Sequence, residues 1–491
     1  MHICLLPTET LLDIFANIRG QRGSSRGRAT IAALARTCRK FKEPALDTLW
    51  EHTIGFEPFI SCLPDDVVKR TTKWVSLKRH LFSGEWKIFA QYAHRVRSLI
   101  IYDVDLDMIS DRVVQALVSM PSLLPKLREL QWWDERESFF PLLRALLVPT
   151  VRSMKFGSGL YSYEPWTSSF AKSTLLASLG ARCPSAQELV CAYADDSHAI
   201  CEFVCDWKEL SHLRTGILNT QSLRHLALLP SLKSLHFRIH GFDDTQSSTT
   251  VTMLRFLSCR SVVLSLGDDI EIEYPQDPLD DSELPLGSLD IPDLMVSFSE
   301  CFSPTLEYIS IDFSLSYGSL NEPYLALGFH AVAPLLLFSR LTTLKLAWFC
   351  TSTIDDATLK KMAQSWPQIK EFRFGSITTN SPSLTFMGLV HLIQHCRHLR
   401  DISMCFRACS IDTSCEPFSK TIPNKKITSI SLGHSPITDP IAVACQLHEL
   451  LPHLTTVGTY RKSEDFNCDW KRVNKYLAAL AEDAKTREKL G

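Results

Sequence analysis

One pattern constrains this chain more than any other: an apolar residue, two others, an apolar residue, one other, and an apolar residue. It is spelled by Val96/Leu99/Ile101, Leu127/Leu130/Trp132, Val151/Met154/Phe156, Leu232/Leu235/Phe237, Leu306/Ile309/Ile311, Leu341/Leu344/Leu346, Ile369/Phe372/Phe374, Leu399/Ile402/Met404 and Ile427/Ile430/Leu432. Leu454/Val457 begins another, with Thr459 at its last position. In a chain that is 45% hydrophobic one such hexad arises by chance, so phase decides. Starts at 341, 369, 399, 427 and 454 are separated by 28, 30, 28 and 27 residues. Pro125, Pro149, Pro184, Pro230, Pro304, Pro367 and Pro452 keep the same phase, each two residues before the first apolar position of a hexad. Proline there ends a preceding helix, because the residue before it is pushed out of the helical region. Before residue 300 the starts are irregular.

A strand and a helix repeating at this period resemble leucine-rich repeats. The fold class expected is therefore α/β: an irregular solenoid over 85–460, with a curved parallel sheet and helices on its convex side. At 491 residues the chain is too long for one ordinary core, and a stack that grows by repetition removes that limit. Residues 358–363 and 386–393 read as convex helices. Ile437-Thr438-Asp439 and, nearly, Ile354-Asp355-Asp356 are similar to the helix openings of F-box-associated repeats. Trp86, Phe89, Ala90 and Ala93 predict an opening cap, and Trp470, Val473, Leu477, Leu480 and Ala484 a closing helix within 461–491. Residues 267–293, with Asp268, Asp269, Glu271, Glu273, Asp277, Asp280, Asp281 and Glu283 among Pro275, Pro278 and Pro285, have no helical or strand period and read as an acidic surface insertion.

Residues 5–50 predict three short helices. The first follows Pro7 and carries Leu11, Leu12, Ile14 and Phe15; the second starts at the N-cap Thr30 with Ile31, Leu34, Cys38 and Phe41 on one face; Pro44 opens the third. So small a segment cannot hide this much apolar surface alone. Leu5-Leu6-Pro7-Thr8-Glu9-Thr10-Leu11-Leu12-Asp13-Ile14-Phe15, Leu34-Ala35-Arg36-Thr37-Cys38-Arg39-Lys40-Phe41 and Leu49-Trp50 resemble an F-box. That resemblance assigns 1–52 to the F-box and implies docking on a Skp adaptor, which joins the segment to a cullin. It places Leu6, Pro7, Leu11, Leu12, Ile14, Phe15, Leu34 and Cys38 at adaptor contacts. Asn17 to Ala29 reads as an insertion between the first two helices, and 53–84 as a linker. From Ile14 to Lys42 there are eight basic residues and no acid, which suits an acidic partner or a solvated loop; without interleaved aromatics it does not suit nucleic acid.

The search for chemistry finds no glycine-rich phosphate loop, no H-E-x-x-H, no nucleophile elbow and no dinucleotide fingerprint. His391/His395/His398 and His198/Cys201/Cys205 have helical spacing but no further ligand, so helix packing explains them, and neither metal nor cofactor is expected. Sixteen scattered cysteines without a C-x-x-C pair read as reduced thiols. With neither signal peptide nor apolar span in sequence, a cytosolic or nuclear location and no membrane partner are expected.

Function is therefore expected to be binding: a non-catalytic adaptor of a Skp-cullin-F-box ubiquitin ligase, or alternatively an interaction scaffold that never reaches a cullin. Strand side chains alternate, so the third, fifth and seventh hexad positions point to the concave face. This places Trp133, Lys155, His236, Arg238, Tyr308, Asp312, Lys345, Glu371, Arg373 and Asp401 on the surface expected to hold a protein client, with the mixed composition of a recognition face.

Overall fold

A computed structural model describes residues 5–20, 25–71, 74–120, 122–158, 169–191, 197–239, 254–266, 291–313, 327–375, 382–414, 416–459 and 464–490. They fall into two units, Met1–Ser222 and Leu223–Gly491. The acidic stretch read as an insertion lies, up to residue 290, outside the described residues.

The first unit opens with helices α1 (Thr8–Arg19), α2 (Ser25–Leu34) and α3 (Arg39–Trp50). Leu11, Phe15, Ile31, Phe41 and Ala45 close a small core between them, with Phe15 and Phe41 edge to face at 5.6 Å. Two boundaries differ from expectation. α2 begins at Ser25, so Thr30 is no cap but a helix-interior residue whose hydroxyl donates to the Arg26 carbonyl at 2.9 Å. Cys38 is the extended N-cap of α3, which starts at Arg39, contains Phe41 and runs through Pro44. Much of the expected insertion is thus helix. Gly27 permits it: a Cβ there would stand 2.7 Å from the Ile18 carbonyl oxygen and 2.8 Å from that of Arg19, where α2 crosses the end of α1.

Residues 53–84, expected as a linker, are folded. They contribute to β1 (His52–Ile54), form α4 (Glu57–Ile60) and the antiparallel pair β2 (Val68–Arg70) and β3 (Val75–Leu77), and lead into α5 (Ser83–Ala93). The reason is burial: Phe56, Phe59, Ile60, Leu63 and Val67 are each 3% exposed or less. On α5, Phe89 and Ala93 are buried and Trp86 half-buried, while Ala90 faces solvent. β1 pairs in parallel with β4 (Ser98–Tyr102); α6 (Asp103–Asp107) and α7 (Asp111–Val118) follow. Then β5 (Glu129–Trp133), β6 (Ser153–Phe156), β7 (Glu188–Cys191) and β8 (His212–Ile217) add in chain order, all parallel.

The second unit continues the same logic with β9 (Ser234–Ile239), β10 (Ser261–Leu266), β11 (Tyr308–Phe313), β12 (Thr343–Leu346), β13 (Glu371–Phe374), β14 (Asp401–Met404), β15 (Ser429–Ser431) and β16 (Thr456–Gly458), each parallel to the next. Every apolar hexad residue read from the sequence is buried. These are leucine-rich-repeat units stacked as a solenoid. Helices ending at Leu146, Arg182, Cys301, Ser365 and Leu450 stop just before Pro149, Pro184, Pro304, Pro367 and Pro452, as the proline phase requires. Asp439 caps its helix by accepting from the Ile441 and Ala442 amides. In the nearly matching opening the cap is Asp355, and Asp356 instead accepts from the amide and hydroxyl of Thr385 in the next repeat.

A second regularity fixes the stack. The residue at the second hexad position donates its amide to the equivalent carbonyl one repeat earlier: Arg128 to Arg97, Arg152 to Arg128, and in the second unit Thr342 to Glu307, Lys370 to Thr342 and Arg400 to Lys370, at 2.7–2.8 Å. β16 has no successor among the described residues, and the helix Glu464–Leu490 covers it with buried Trp470, Val473 and Leu477, as expected, and half-buried Leu480; the side chain of Ala484 lies outside the described set. Asn474 on that helix accepts from the Val457 amide at 2.8 Å and donates to its carbonyl at 3.0 Å, standing in for a missing strand. Asn474→Ala leaves both groups unpaired and should cost about 1–3 kcal/mol. Urea unfolding checks this, and an unchanged midpoint would deny Asn474 that part.

Candidate functional site

Two surfaces hold the residues singled out by sequence. On the N-terminal module Leu11 is fully buried and Phe15 is 1% exposed. They build the module's own core. The hexad-like spacing of α1 could not separate the inward from the outward apolar residues, because both faces are apolar. Leu6, Leu12, Ile14, Leu34 and Cys38 are half-buried and Pro7 is exposed. With Leu5 at 71% and Ile18 at 37% exposure they leave an apolar rim around a closed core.

The module is fused to the first repeat, a feature the sequence did not disclose. Glu51, at the end of α3, accepts the amides of Arg97 and Ser98 at 2.9 Å, so it occupies the second hexad position of a repeat that begins inside the helix. Arg95 pairs with both Glu43 and Asp47. Its hydrogen bond holds the Glu43 carboxyl below the usual carboxylate range. Trp50 stacks on Tyr92 at 4.6 Å and meets Phe59 at 5.1 Å, which in turn meets Phe89 at 5.1 Å. Arg19 donates to the Thr48 carbonyl at 3.1 Å. Beside this joint an open cleft of about 570 Å³ runs between Leu12, Asp13 and Ala16 of α1, Glu43 and Asp47 of α3, and Arg95.

The ten strand residues all lie on the open face, half-buried, with the alternation expected of them. In the first unit Trp133 lies over Gly157, where a Cβ would meet its ring at 2.6 Å, and Lys155 pairs with Glu188 at 3.0 Å. Burial works against the Glu188 charge, but bonds from Ser153 and Lys155 outweigh it and lower its pKa. In the second unit His236 meets the Ser265 hydroxyl at 3.1 Å, and Ser310 donates to Asp312 at 3.0 Å. A ladder then crosses four strands. The Lys345 ammonium sits 5.4 Å over the Tyr308 ring and 3.0 Å from Glu371. Arg373 Nε faces Glu371 at 2.8 Å as an ion contact rather than an aligned hydrogen bond, and its other nitrogen donates to Asp401 at 3.1 Å. Burial opposes the Lys345 charge, yet Glu371 and Tyr308 raise its pKa above the ordinary value. Arg238 stands on β9, two strands before the β11 that carries Tyr308.

Burial pushes Cys183, Cys191, Cys259 and Cys396 up to about 12, and Cys301 and Cys405 to about 11, so these thiols stay protonated at neutral pH. Among the described residues no group of three or more His, Cys, Asp or Glu is placed to hold a metal, and no helix is long and apolar enough to cross a membrane. His391 and His395 lie on the helix Phe386–His395, where burial and then Lys360 lower both pKa values.

Fold and module define the class: an F-box-like module carried on a repeat solenoid. Residues 3–53 match the family model described as F-box-like. No curated protein matches the chain. Among solved structures it is similar to the complex of Rad7 and Elc1 from yeast, at 14% identity over 92% of this chain and 88% of that one, TM-score 0.32. It is also similar to the leucine-rich repeat domain of APL1, at 11% identity, 76% and 83% coverage and TM-score 0.32. A third likeness is to the TLR13–ssRNA13 complex, at 11% identity and TM-score 0.33, covering 75% of this chain and 53% of that one, so the chain spans about half the TLR13 length. The fold stands on its own strand register and owes nothing to these likenesses.

The fusion yields a prediction. Arg95→Ala should loosen α3 from the first repeat by about 1 kcal/mol, the small figure reflecting the exposed carboxylates it pairs with. Earlier hydrogen exchange of α3 amides, with the repeats unaffected, is the expected reading. Because Glu43 is held below its ordinary value, this contribution is present at neutral pH and is lost as pH falls through its depressed pKa.

Proposed function

We propose that this chain is the client-recognition subunit of a Skp-cullin-F-box ubiquitin ligase, working in the cytosol or nucleus without catalytic chemistry of its own. What carries the reading is the F-box-like match over 3–53 together with the apolar rim left outside that module's closed core. Exposed apolar surface beside a filled core is the mark of a partner site. Leu6, Pro7, Leu12, Ile14, Leu34 and Cys38 are the proposed adaptor contacts, with Leu11 and Phe15 holding the shape that presents them. The proposed client surface is the open strand face: Trp133 and Lys155 in the first unit, and His236, Arg238, Tyr308, Asp312, Lys345, Glu371, Arg373 and Asp401 in the second.

Leu12→Asp should abolish co-purification with a co-expressed Skp adaptor while the melting temperature holds, since it sets a charge into an apolar contact. Leu11→Ala should instead destabilise the module by about 2–5 kcal/mol, as a core cavity does. Undiminished adaptor binding by a folded Leu12→Asp chain would sink the assignment, and an adaptor complex that never recovers a cullin would favour the scaffold reading. For the client, Tyr308→Ala with Arg373→Ala should erase proximity labelling of clients with little loss of stability. A large drop in melting temperature would show that these two side chains hold the fold instead.

A further inference from the structure

A second concavity, of about 520 Å³, lies on the first repeat and takes no part in the adaptor role. Its walls are the segment leaving β3, together with α5 and α7. Leu77 and Trp86 give it an apolar floor, and its rim carries Lys78, Arg79, His80 and Arg112. Every titratable side chain that lines it is basic.

The four are not equivalent. Arg79 is already answered, 3.0 Å from Asp66 and 2.9 Å from Glu85, with its guanidinium over the Phe82 ring at 5.0 Å. Lys78 donates at 2.7 Å to the Asp65 carbonyl, which is neutral. Arg112 is exposed on α7 and has no ion pair among the described residues. Two full positive charges and an imidazole therefore open on one small cleft without a carboxylate lining it. Such a cluster repels itself and is relieved by an anion.

The cleft is also rigid before any ligand arrives. The Val75 amide donates to the Met108 carbonyl at 2.7 Å and the Ser110 amide returns to Val75 at 3.0 Å, which staples β3 to the start of α7. Ser110 and Ser76 hydroxyls add a bond at 2.8 Å, and the Lys78 amide reaches the Val67 carbonyl at 2.8 Å. On the α5 side, Glu85 accepts from the Phe82 amide at 2.7 Å. A preformed site loses little entropy when it binds.

We propose that this cleft is a binding site for a short acidic peptide segment, one that sets a carboxylate or phosphate between Lys78 and Arg112 and lays an adjoining apolar side chain on Trp86. The volume is that of a ligand pocket, roughly 300–1,000 Å³, and admits a few side chains rather than a nucleic-acid helix. This site goes beyond the adaptor role and does not rest on it, because none of its lining residues belongs to the F-box-like module.

The test uses the full-length chain and fluorescence anisotropy of labelled hexapeptides: Asp/Glu-rich with one Phe, its phosphoserine counterpart, and an Asn/Gln version with the same Phe. Saturable binding of the two anionic peptides is expected, weakened about tenfold by Arg112→Ala and by Lys78→Ala, in line with the loss of one charge-assisted bond. Both side chains are exposed, so melting should not change, and Arg36→Ala on the module should leave affinity intact. Equal binding of the Asn/Gln peptide, or retention by the Lys78→Ala/Arg112→Ala chain, overturns the site. So does inorganic phosphate that competes as well as the peptides, or a single-stranded oligonucleotide that binds more tightly than they do.

Discussion

Each strand of this protein is too short to stand alone, and what holds it is the burial of the first, fourth and sixth hexad side chains against the units on either side. A fully buried Leu, Ile or Phe contributes about 1.5–3 kcal/mol relative to exposure, so one hexad offers several times that only when both neighbours are present. The amide at the second position adds direction: it reaches back one repeat, as from Lys370 to Thr342 and from Arg400 to Lys370, and so sets register as well as contact. Because stability comes from neighbours, the ends are the weak points. The final strand is closed by a helix whose Asn474 satisfies both polar groups of Val457. An uncovered edge would be a template for another chain.

At the other end the closing piece is the helical module itself. α3 runs into β1 without a spacer, Glu51 supplies the first carbonyl of the ladder, and Arg95 reaches back across the joint to Glu43 and Asp47. The stacked rings of Trp50, Tyr92, Phe59 and Phe89 fill the space beneath. A module joined by a flexible tether would sample many orientations relative to its repeats. Here the chain enters the sheet directly, so whatever docks on the module is held in register with the strands of the first unit.

The sequence made the large-residue hexads plain and hid those built from small ones. Ala186/Leu189/Cys191, Leu210/Leu213/Thr215 and Cys259/Val262/Leu264 occupy the same buried positions as the leucine hexads, but alanine, cysteine and threonine do not stand out as core in a linear reading. With them the gap from 151 to 232 divides into steps of 35, 24 and 22, although the 47 residues from 259 to 306 keep the first half uneven. β1 was hidden for the same reason, since Thr53 fills its inward place at 1% exposure. On the module, periodicity identified apolar residues but could not tell Leu11, which is inside, from Leu12, which is not. The ion pairs were invisible altogether: Arg95 meets Asp47 across 48 residues, and no local spacing announces it. Proline phase, by contrast, was legible wherever a proline stands before a hexad, because its effect on the preceding helix is local.

The open face of the second unit shows how such a surface can be specific without carrying net charge. Lys345, Glu371, Arg373 and Asp401 alternate in sign across three strands, and each is held by its neighbour, with Tyr308 closing the row beneath the ammonium. Held side chains have already surrendered rotamer freedom, so a partner meets a fixed pattern of donors and acceptors and loses less entropy on binding. The same pairing also means that a ligand with one opposite charge gains little, since every cation there already has its anion. A partner of this row would have to match the sequence of charges along it and cover Tyr308, which suits an extended protein surface better than a small ion. The cleft beside Arg112 has the opposite character: few residues, one sign, and, in Lys78 and Arg112, charges without an ion pair among the described residues. Two such surfaces on one chain select for different chemistry, one by pattern and the other by excess charge.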